Sequence, residues 1–251
     1  MRPPLLEACE VSVRFGGLVA VDQVSAAFMP GELVGIIGPN GAGKTTFFNV
    51  LSGVVKPSAG GILASGKRLT GSAPHRYAHE GIARTFQTPR VFAELSVAAN
   101  VDFGLQFAGR GRRSSWLLKD ATSILNVIGL SALADLPAAA ITPSRQRLLE
   151  IGMALATRPK LLLLDEVAAG LTDQEVETMA QLIRRLRDEL DLTVIWIEHA
   201  VTTLMRHVER VLVLHQGRKI ADGAPALVMR DAGVIEAYLG DEMSDDTSGA
   251  A

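Results

Sequence analysis

The sequence has one cysteine, Cys9, in 251 residues. A lone thiol closes no internal disulfide and builds no cysteine metal site, and such scarcity suits a reducing compartment. No apolar run approaches the roughly 18 residues that a spanning helix needs. The opening Met1-Arg2-Pro3-Pro4 has no apolar h-region, so no signal peptide is expected. Neither sign of charge dominates: Lys and Arg number 25, Asp and Glu 27, for a formal net charge of -2. That balance argues against a dedicated nucleic-acid binder and leaves room only for a local basic patch. Glycine is frequent, at 24 residues, but follows no period, which excludes a collagen-like chain, and no internal repeat is visible. What remains is an ordinary globular composition, 48% apolar and 21% charged. The length suits one sizeable domain or at most two small ones.

Strand and helix patterns alternate along the chain. Leu5 to Phe15 and Leu18 to Val24 read as strands around a turn at Gly16-Gly17, and Leu33 to Ile37 reads as a short strand buried on both faces. A helix is expected after Lys44, with Gly53 as its stop, and a strand over Ile62 to Gly66. From about Val91 to Leu155 the spacing turns helical. Val97, Val101 and Leu105 form one set, Leu118, Thr122, Leu125 and Ile128 a second with Gly129 as C-cap, and Leu148, Ile151 and Leu155 a third. Gly109 to Arg113 reads as an exposed basic turn within this lobe. Strands return at Leu161 to Leu164, Thr193 to Ile197 and Val211 to Leu214, the last followed by a hairpin turn at Gln216-Gly217. Thr172 stands three residues before Glu175, a capping box opening a helix with Met179, Leu182, Ile183, Leu186 and Leu190 on one face. The tail from Ser244 is polar, acidic and rich in small residues, the composition of a disordered end. The alternation predicts an α/β sheet with helices on both faces.

Two motifs carry chemistry. Gly38-Pro39-Asn40-Gly41-Ala42-Gly43-Lys44-Thr45 has the spacing G-x-x-x-x-G-K-[ST], between a buried strand and a helix start. In that order the loop amides and the positive end of the helix face a phosphate. Lys44 can bridge β and γ phosphates, and the Thr45 hydroxyl can hold Mg²⁺. Far downstream, Leu161 to Leu164 runs directly into Asp165-Glu166. An acid pair at the end of an apolar strand lies at the sheet edge where a phosphate loop also opens. Asp165 is the candidate Mg²⁺ partner and Glu166 the candidate general base for an attacking water.

From about Leu5 to Gly240 the chain resembles the ATP-binding subunit of ABC transporters. Gly38 to Thr46 is similar to the Walker A motif, and Leu161 to Glu166 to Walker B with its catalytic glutamate. The resemblance implies a P-loop NTPase of the ABC ATPase type: an α/β fold with a mixed sheet core, an antiparallel β subdomain and an inserted helical subdomain. Residues 1–243 would form that single domain, with about 91–157 as the insertion. It further implies ATP and Mg²⁺ as cofactors. Gly38, Asn40, Gly41, Ala42, Gly43, Lys44, Thr45 and Thr46 would cradle the nucleotide. Gln87, in Ala83-Arg-Thr-Phe-Gln87, falls at the Q-loop glutamine that senses γ-phosphate and Mg²⁺, and His199 at the switch histidine. Phe15 falls at the aromatic that stacks on adenine, and Ala169 to Asp173 is similar to the D-loop. Standing alone, Gln87 would read as a surface polar residue, Phe15 as packing and His199 as a cap or core residue. His75, His79, His207 and His215 have no evident metal-ligand companions.

Phe15 to Leu18, Gly81 to Gln87 and the ending Ile235-Glu-Ala-Tyr-Leu-Gly240 resemble the importer ATPases for branched-chain and other hydrophobic amino acids, with urea-importer ATPases as the alternative. The resemblance implies a second, different ATPase chain, two membrane permeases and, indirectly, a periplasmic solute-binding protein. It places the chain on the cytoplasmic face of a bacterial inner membrane, with no nucleic-acid partner. A soluble ABC protein of DNA repair or translation would need long insertions or tandem domains. A Rossmann dehydrogenase is excluded because the loop lacks the G-x-G-x-x-G spacing.

One motif departs from the family. Where Leu-Ser-Gly-Gly-Gln or Leu-Ser-Tyr-Gly-Gln is usual, this chain has Ile141-Thr142-Pro143-Ser144-Arg145, in a register fixed by Leu149-Glu150-Ile151. Thr142 can replace the serine hydroxyl. Pro143 has no N–H to offer a phosphate, Ser144 adds a Cβ where glycine is usual, and Arg145 adds a positive charge. Val167 replaces the proline usual after Walker B. In the family this loop completes the partner's site, so one good and one weak composite site are expected in a heterodimer. A nucleotide-binding regulatory subunit with little turnover is the alternative that these changes leave open.

Overall fold

The computed structural model describes residues 3–107, 116–198 and 201–239. The basic turn expected at 109–113, His199 and the tail from Ser244 lie outside the described residues.

Strands β1 (Leu6–Phe15) and β2 (Leu18–Phe28) pair antiparallel, and β1 also pairs with β4 (Ala59–Ala64), which turns into the short β5 (Lys67–Arg68). This sheet has the order β2-β1-β4-β5. The strand expected over Ile62 to Gly66 ends two residues earlier. Ser65 and Gly66 have φ of 48° and 78° and form the hairpin turn instead. Gln216 and Gly217 repeat that conformation, with φ of 48° and 78°.

The second sheet comprises β3 (Leu33–Ile37), β6 (Ile82–Arg84), β7 (Leu161–Asp165), β8 (Thr193–Ile197), β9 (Arg210–His215) and β10 (Arg218–Gly223). Its order is β10-β9-β3-β8-β7-β6, parallel throughout except for the β9–β10 hairpin. The three-residue β6 carries too short a pattern to be visible in sequence. The polar β10 is an edge strand, and its alternation is correspondingly weak.

Alternate residues of the parallel strands feed two cores. Leu33, Leu162, Leu164, Val194, Trp196, Val211 and Val213 face the helices α3 (Val97–Gln106), α4 (Ala121–Val127), α5 (Pro143–Ala156), α6 (Asp173–Leu190) and α7 (Val201–His207). Val34, Ile36, Leu161, Leu163, Ile195, Ile197 and Leu212 face α1 (Lys44–Leu51) and the antiparallel sheet. Helices lie on both faces, and on one of them α1 is joined by the antiparallel sheet, which supplies most of the cover. Short helices α2 (Pro74–His79) and α8 (Pro225–Val228) and a final helix over 232–239 complete the fold.

Capping chemistry sets the helix starts. Thr172 and Glu175 form the expected capping box of α6. Leu118, assigned to a helix by spacing, lies outside α4, because Asp120 and Ser123 build a capping box that starts the helix at Ala121.

Gly104 brings α3 against α5: a Cβ there would lie 2.7 Å from the Met153 carbonyl oxygen and 2.8 Å from the Ala156 Cβ. Glycine-to-alanine changes inside helices ordinarily stabilise by about 1 kcal/mol. Gly104→Ala is instead expected to lower the unfolding free energy, by about 1–3 kcal/mol through overpacking. Urea denaturation checks this, and a rise in the midpoint would contradict the packing described.

Candidate active site

The parallel strands place their C-terminal ends along one edge: β3 leads into the glycine loop, β6 towards the candidate Gln87, β7 into the candidates Asp165-Glu166, and β8 into Glu198. Ligand sites of open α/β sheets form in that position.

The loop after β3 is compact for steric reasons. A Cβ on Gly38 would lie 2.0 Å from the Leu214 carbonyl oxygen, and one on Gly43 2.3 Å from that of Ala20. Gly38, Gly41 and Gly43 have φ of 152°, 74° and 95°. Gly41 faces open space. Pro39, Ala42 and Lys44 are buried, while Asn40 and Thr45 are exposed and Thr46 half-buried. Lys44 Nζ donates to the carbonyls of Gly38 at 2.6 Å and Pro39 at 2.8 Å. Helix α1 has neither a side-chain cap nor an acid in its first turn. Its leading N–H groups are therefore oriented for an anion rather than for a capping side chain.

Gln87 and Glu166 meet. Gln87 Nε2 donates to Glu166 Oε2 at 2.6 Å. They come together because β6 and β7 are neighbours and each residue closely follows its strand end. Glu166 is 5% exposed and has a left-handed φ of 50°. A non-glycine residue held there stores about 1–3 kcal/mol of strain, a feature that clusters at functional sites.

Asp165 is buried and forms an ion pair with Arg84, Nη2 to Oδ2 at 3.0 Å. Arg84 Nη1 also donates to Asn49 Oδ1 at 2.7 Å and Ser52 Oγ at 2.9 Å, tying β6 to α1. Burial lowers the Arg84 pKa, opposed by the Asp165 charge. The sequence reading missed Arg84, because the strand it ends is too short to show a pattern and its partners lie on other elements. It also missed Glu198, whose carboxylate accepts from Ala168 N at 2.7 Å and Trp196 Nε1 at 2.9 Å. Burial raises its pKa, and the nearby Glu166 charge adds to the rise. A third missed residue is Glu150, inside the apolar run from Leu148 to Ile151.

Thr142, Pro143, Ser144 and Arg145 stand apart from that edge, at the start of α5. Thr142 is the N-cap and accepts from Arg145 N at 3.4 Å, its hydroxyl lies 3.1 Å from that of Ser144, and Pro143 takes the first helical position. Pro143 is suited there, because the first amide of a helix has no intrahelical partner to lose. A cavity of about 700 Å³ beside the loop is lined by residues including Ser144, Arg145, Thr172, Glu175 and Met179, and by no residue of the glycine loop. Phe15 is 52% exposed at the end of β1. Val167 is buried, and its carbonyl accepts from Arg147 Nη1 at 3.2 Å.

The site suits a polyphosphate: a loop of amides, a lysine and a helix N-terminus on one side, and carboxylates on the other. The threonine hydroxyl, aspartate carboxylate and glutamine amide form an all-oxygen donor set, which fits a hard divalent cation. Among the described residues no cluster of three or more His, Cys, Asp and Glu could hold a metal by itself.

Residues 21–169 match the family model described as ABC transporter, and residues 218–243 match that of the branched-chain amino acid ATP-binding cassette transporter. Over 96% of its length the chain is 37% identical to the whole of the high-affinity branched-chain amino acid transport ATP-binding protein BraF of Pseudomonas aeruginosa. It is 39% identical, again over 96% of its length, to the whole of the corresponding protein LivG of Escherichia coli. It is similar to the crystal structure of an ATP-binding cassette from an ABC transporter in its ADP conformation, with a TM-score of 0.83 and 31% identity over 94% of this chain and 99% of that one. A nucleotide-free ATP-binding cassette gives a TM-score of 0.82 and 30% identity over 94% and 98%.

Burial raises the Glu150 carboxyl pKa to about 7 against an ordinary 4.5, although it accepts two backbone N–H bonds and lies near Arg84 and Arg90. The folded state therefore binds this proton more tightly than the unfolded state. The resulting stability is fully present below pH 4.5 and is lost as pH rises through about 7. The melting temperature of wild type relative to Glu150→Gln is expected to fall across that window. A difference that is flat or rises with pH would contradict the assignment.

Proposed function

The chain belongs to the ATP-binding subunits of ABC transporters, and on that premise we propose that it powers import of branched-chain amino acids from the cytoplasmic face of a bacterial inner membrane. The chain is an ATP-binding and ATP-hydrolysing subunit of an importer. The cargo class is supported by the match over 218–243 together with the full-length similarity to BraF and LivG. Cargo never touches this subunit, so the reading rests on likeness and not on a cargo site. Two membrane permeases, a periplasmic solute-binding protein and a second ATPase chain complete the machine.

The observation that carries the catalytic reading is the Gln87–Glu166 contact at 2.6 Å beside the glycine loop. Lys44 exchanges its carbonyl partners for the β and γ phosphates of ATP, and the amides of Gly41 to Thr46 hold their oxygens. Thr45, Asp165 and Gln87 are the residues that would hold Mg²⁺, whose charge when bound offsets that of the phosphates. Glu166 accepts the proton of the attacking water, and Gln87 orients its carboxylate. His199, which follows Glu198 in the sequence, serves as the γ-phosphate switch, and Phe15 stacks on the adenine.

Thr142, Ser144 and Arg145 complete the site of the second ATPase, with Pro143 offering it no amide. Charge developing on the γ-phosphoryl oxygens needs preorganised donors. The composite site using this chain's Lys44 and Glu166 is therefore the stronger of the two, and the site completed by its altered loop is the weaker.

In the assembled transporter, Lys44→Ala is expected to lose most ATP binding. Glu166→Gln should keep binding and lose about 10²–10⁴-fold in turnover, the range of a missing general base. Nucleotide binding and steady-state phosphate release separate these outcomes. Wild-type turnover in Glu166→Gln would remove it from the base role.

A further inference from the structure

Two polar side chains of α5 have no part in the roles above. Glu150 is 5% exposed, in the midst of an apolar helix face. Its Oε2 accepts from the N–H of Phe86 at 3.2 Å, and its Oε1 from the N–H of Arg90 at 2.9 Å. These amides are the two ends of the 86–90 loop, and Gln87 lies between them. Three residues earlier on α5, and so on the same helix face, Arg147 Nη1 donates to the carbonyls of Val167 and Ala169. One face of α5 thus holds both catalytic loops, the one carrying Gln87 through an acid and the one following Glu166 through a base.

The choice of a carboxylate has a physical reason. Two amides at opposite ends of a loop need two separate acceptor oxygens. Glutamate supplies both, whereas glutamine offers one oxygen and a group that can only donate. A buried carboxylate is costly unless it is paired and hydrogen-bonded. Arg84 and Arg90 supply the opposing charge, and their guanidinium groups lie 4.5 and 4.0 Å from the Phe86 ring centroid. If filling space were its only task, an apolar residue matching Leu149 and Ile151 would do so without that cost.

We propose that Glu150 is a positioning residue for ATP hydrolysis. By closing the 86–90 loop onto α5 it holds the Gln87 amide against Glu166, and it links that contact to the altered loop capped by Thr142 at the start of the same helix. Displacement of α5 then moves both catalytic loops together. The inference rests on the ATPase reading above and goes beyond it, since it assigns a role to a residue that touches neither nucleotide nor water.

The test uses the assembled transporter with Glu150→Gln, Gln87→Ala, the double variant and Glu166→Gln. Glu150→Gln is expected to lower kcat by about 10–100-fold, the scale of a small misplacement of reacting groups, with KM for ATP nearly unchanged. Because Glu150 acts through Gln87, the double variant should be scarcely worse than Gln87→Ala alone. Multiplying losses, or a normal kcat in Glu150→Gln beside an inactive Glu166→Gln, would overturn the clamp and leave the ATPase reading standing. Normal turnover in Glu166→Gln as well would overturn both. If Glu150→Gln does not assemble, hydrogen exchange of the wild-type complex at single-residue resolution decides. The Phe86 and Arg90 amides should exchange at least about tenfold more slowly than that of Thr88 between them, and equal rates would overturn the clamp.

Discussion

The parallel register of β3, β8, β7 and β6 is the constraint on which the rest of the molecule depends. It ends four strands on one edge, so that loops far apart in sequence open side by side. Residues 38–44 and 165–166 open on the same edge because β8 alone separates their strands. Gln87 reaches Glu166 because no strand separates β6 from β7. The strands hold that register because both faces are buried. Leu161 and Leu163 belong to one core, Leu162 and Leu164 to the other. A slip of one residue would exchange the two sets and carry Asp165 and Glu166 off the edge.

Polar groups buried beneath this edge do the fine positioning. Arg84 joins β6, α1 and Asp165, and Glu198 pins the loop after Glu166 through the Ala168 amide. Glu150 and Arg147 extend the hold to α5. Each is ionisable and buried or half-buried, a costly condition that is tolerable only when partners are supplied. The altered loop at the start of α5 is a well-formed helix N-terminus in its own right. Thr142 caps it and Pro143 opens it, a combination that favours the helix while withholding an amide from any phosphate.

Much of this was legible in the sequence. The glycine loop, the acid pair at the end of β7 and the Thr172 capping box follow from local rules, and Leu33–Ile37 and Thr193–Ile197 coincide with their strands. Gln87 was legible only through family resemblance, because no local pattern tells a surface amide that it will face a carboxylate 79 positions away. Arg84, Glu150 and Glu198 escaped altogether. Their partners come from other elements, and a single acid within an apolar helical run looks like an interruption until the amides it accepts from are in view. Strand β6 escaped because three residues carry no period, and the antiparallel cover of one sheet face did so because periodicity reports burial and not what does the burying.

The central proposal is that this chain's own catalytic edge makes the stronger site while the loop it lends to its partner is weakened. It is tested most directly in the assembled transporter with the proposed second ATPase chain, by comparing the ATPase rate of a sample carrying Glu166→Gln in this chain with one carrying the equivalent change in that second chain. The account predicts near-complete loss in the first and a measurable remainder in the second. The reverse order would contradict it, and would mean that Thr142 and Arg145 rebuild a competent loop around Pro143.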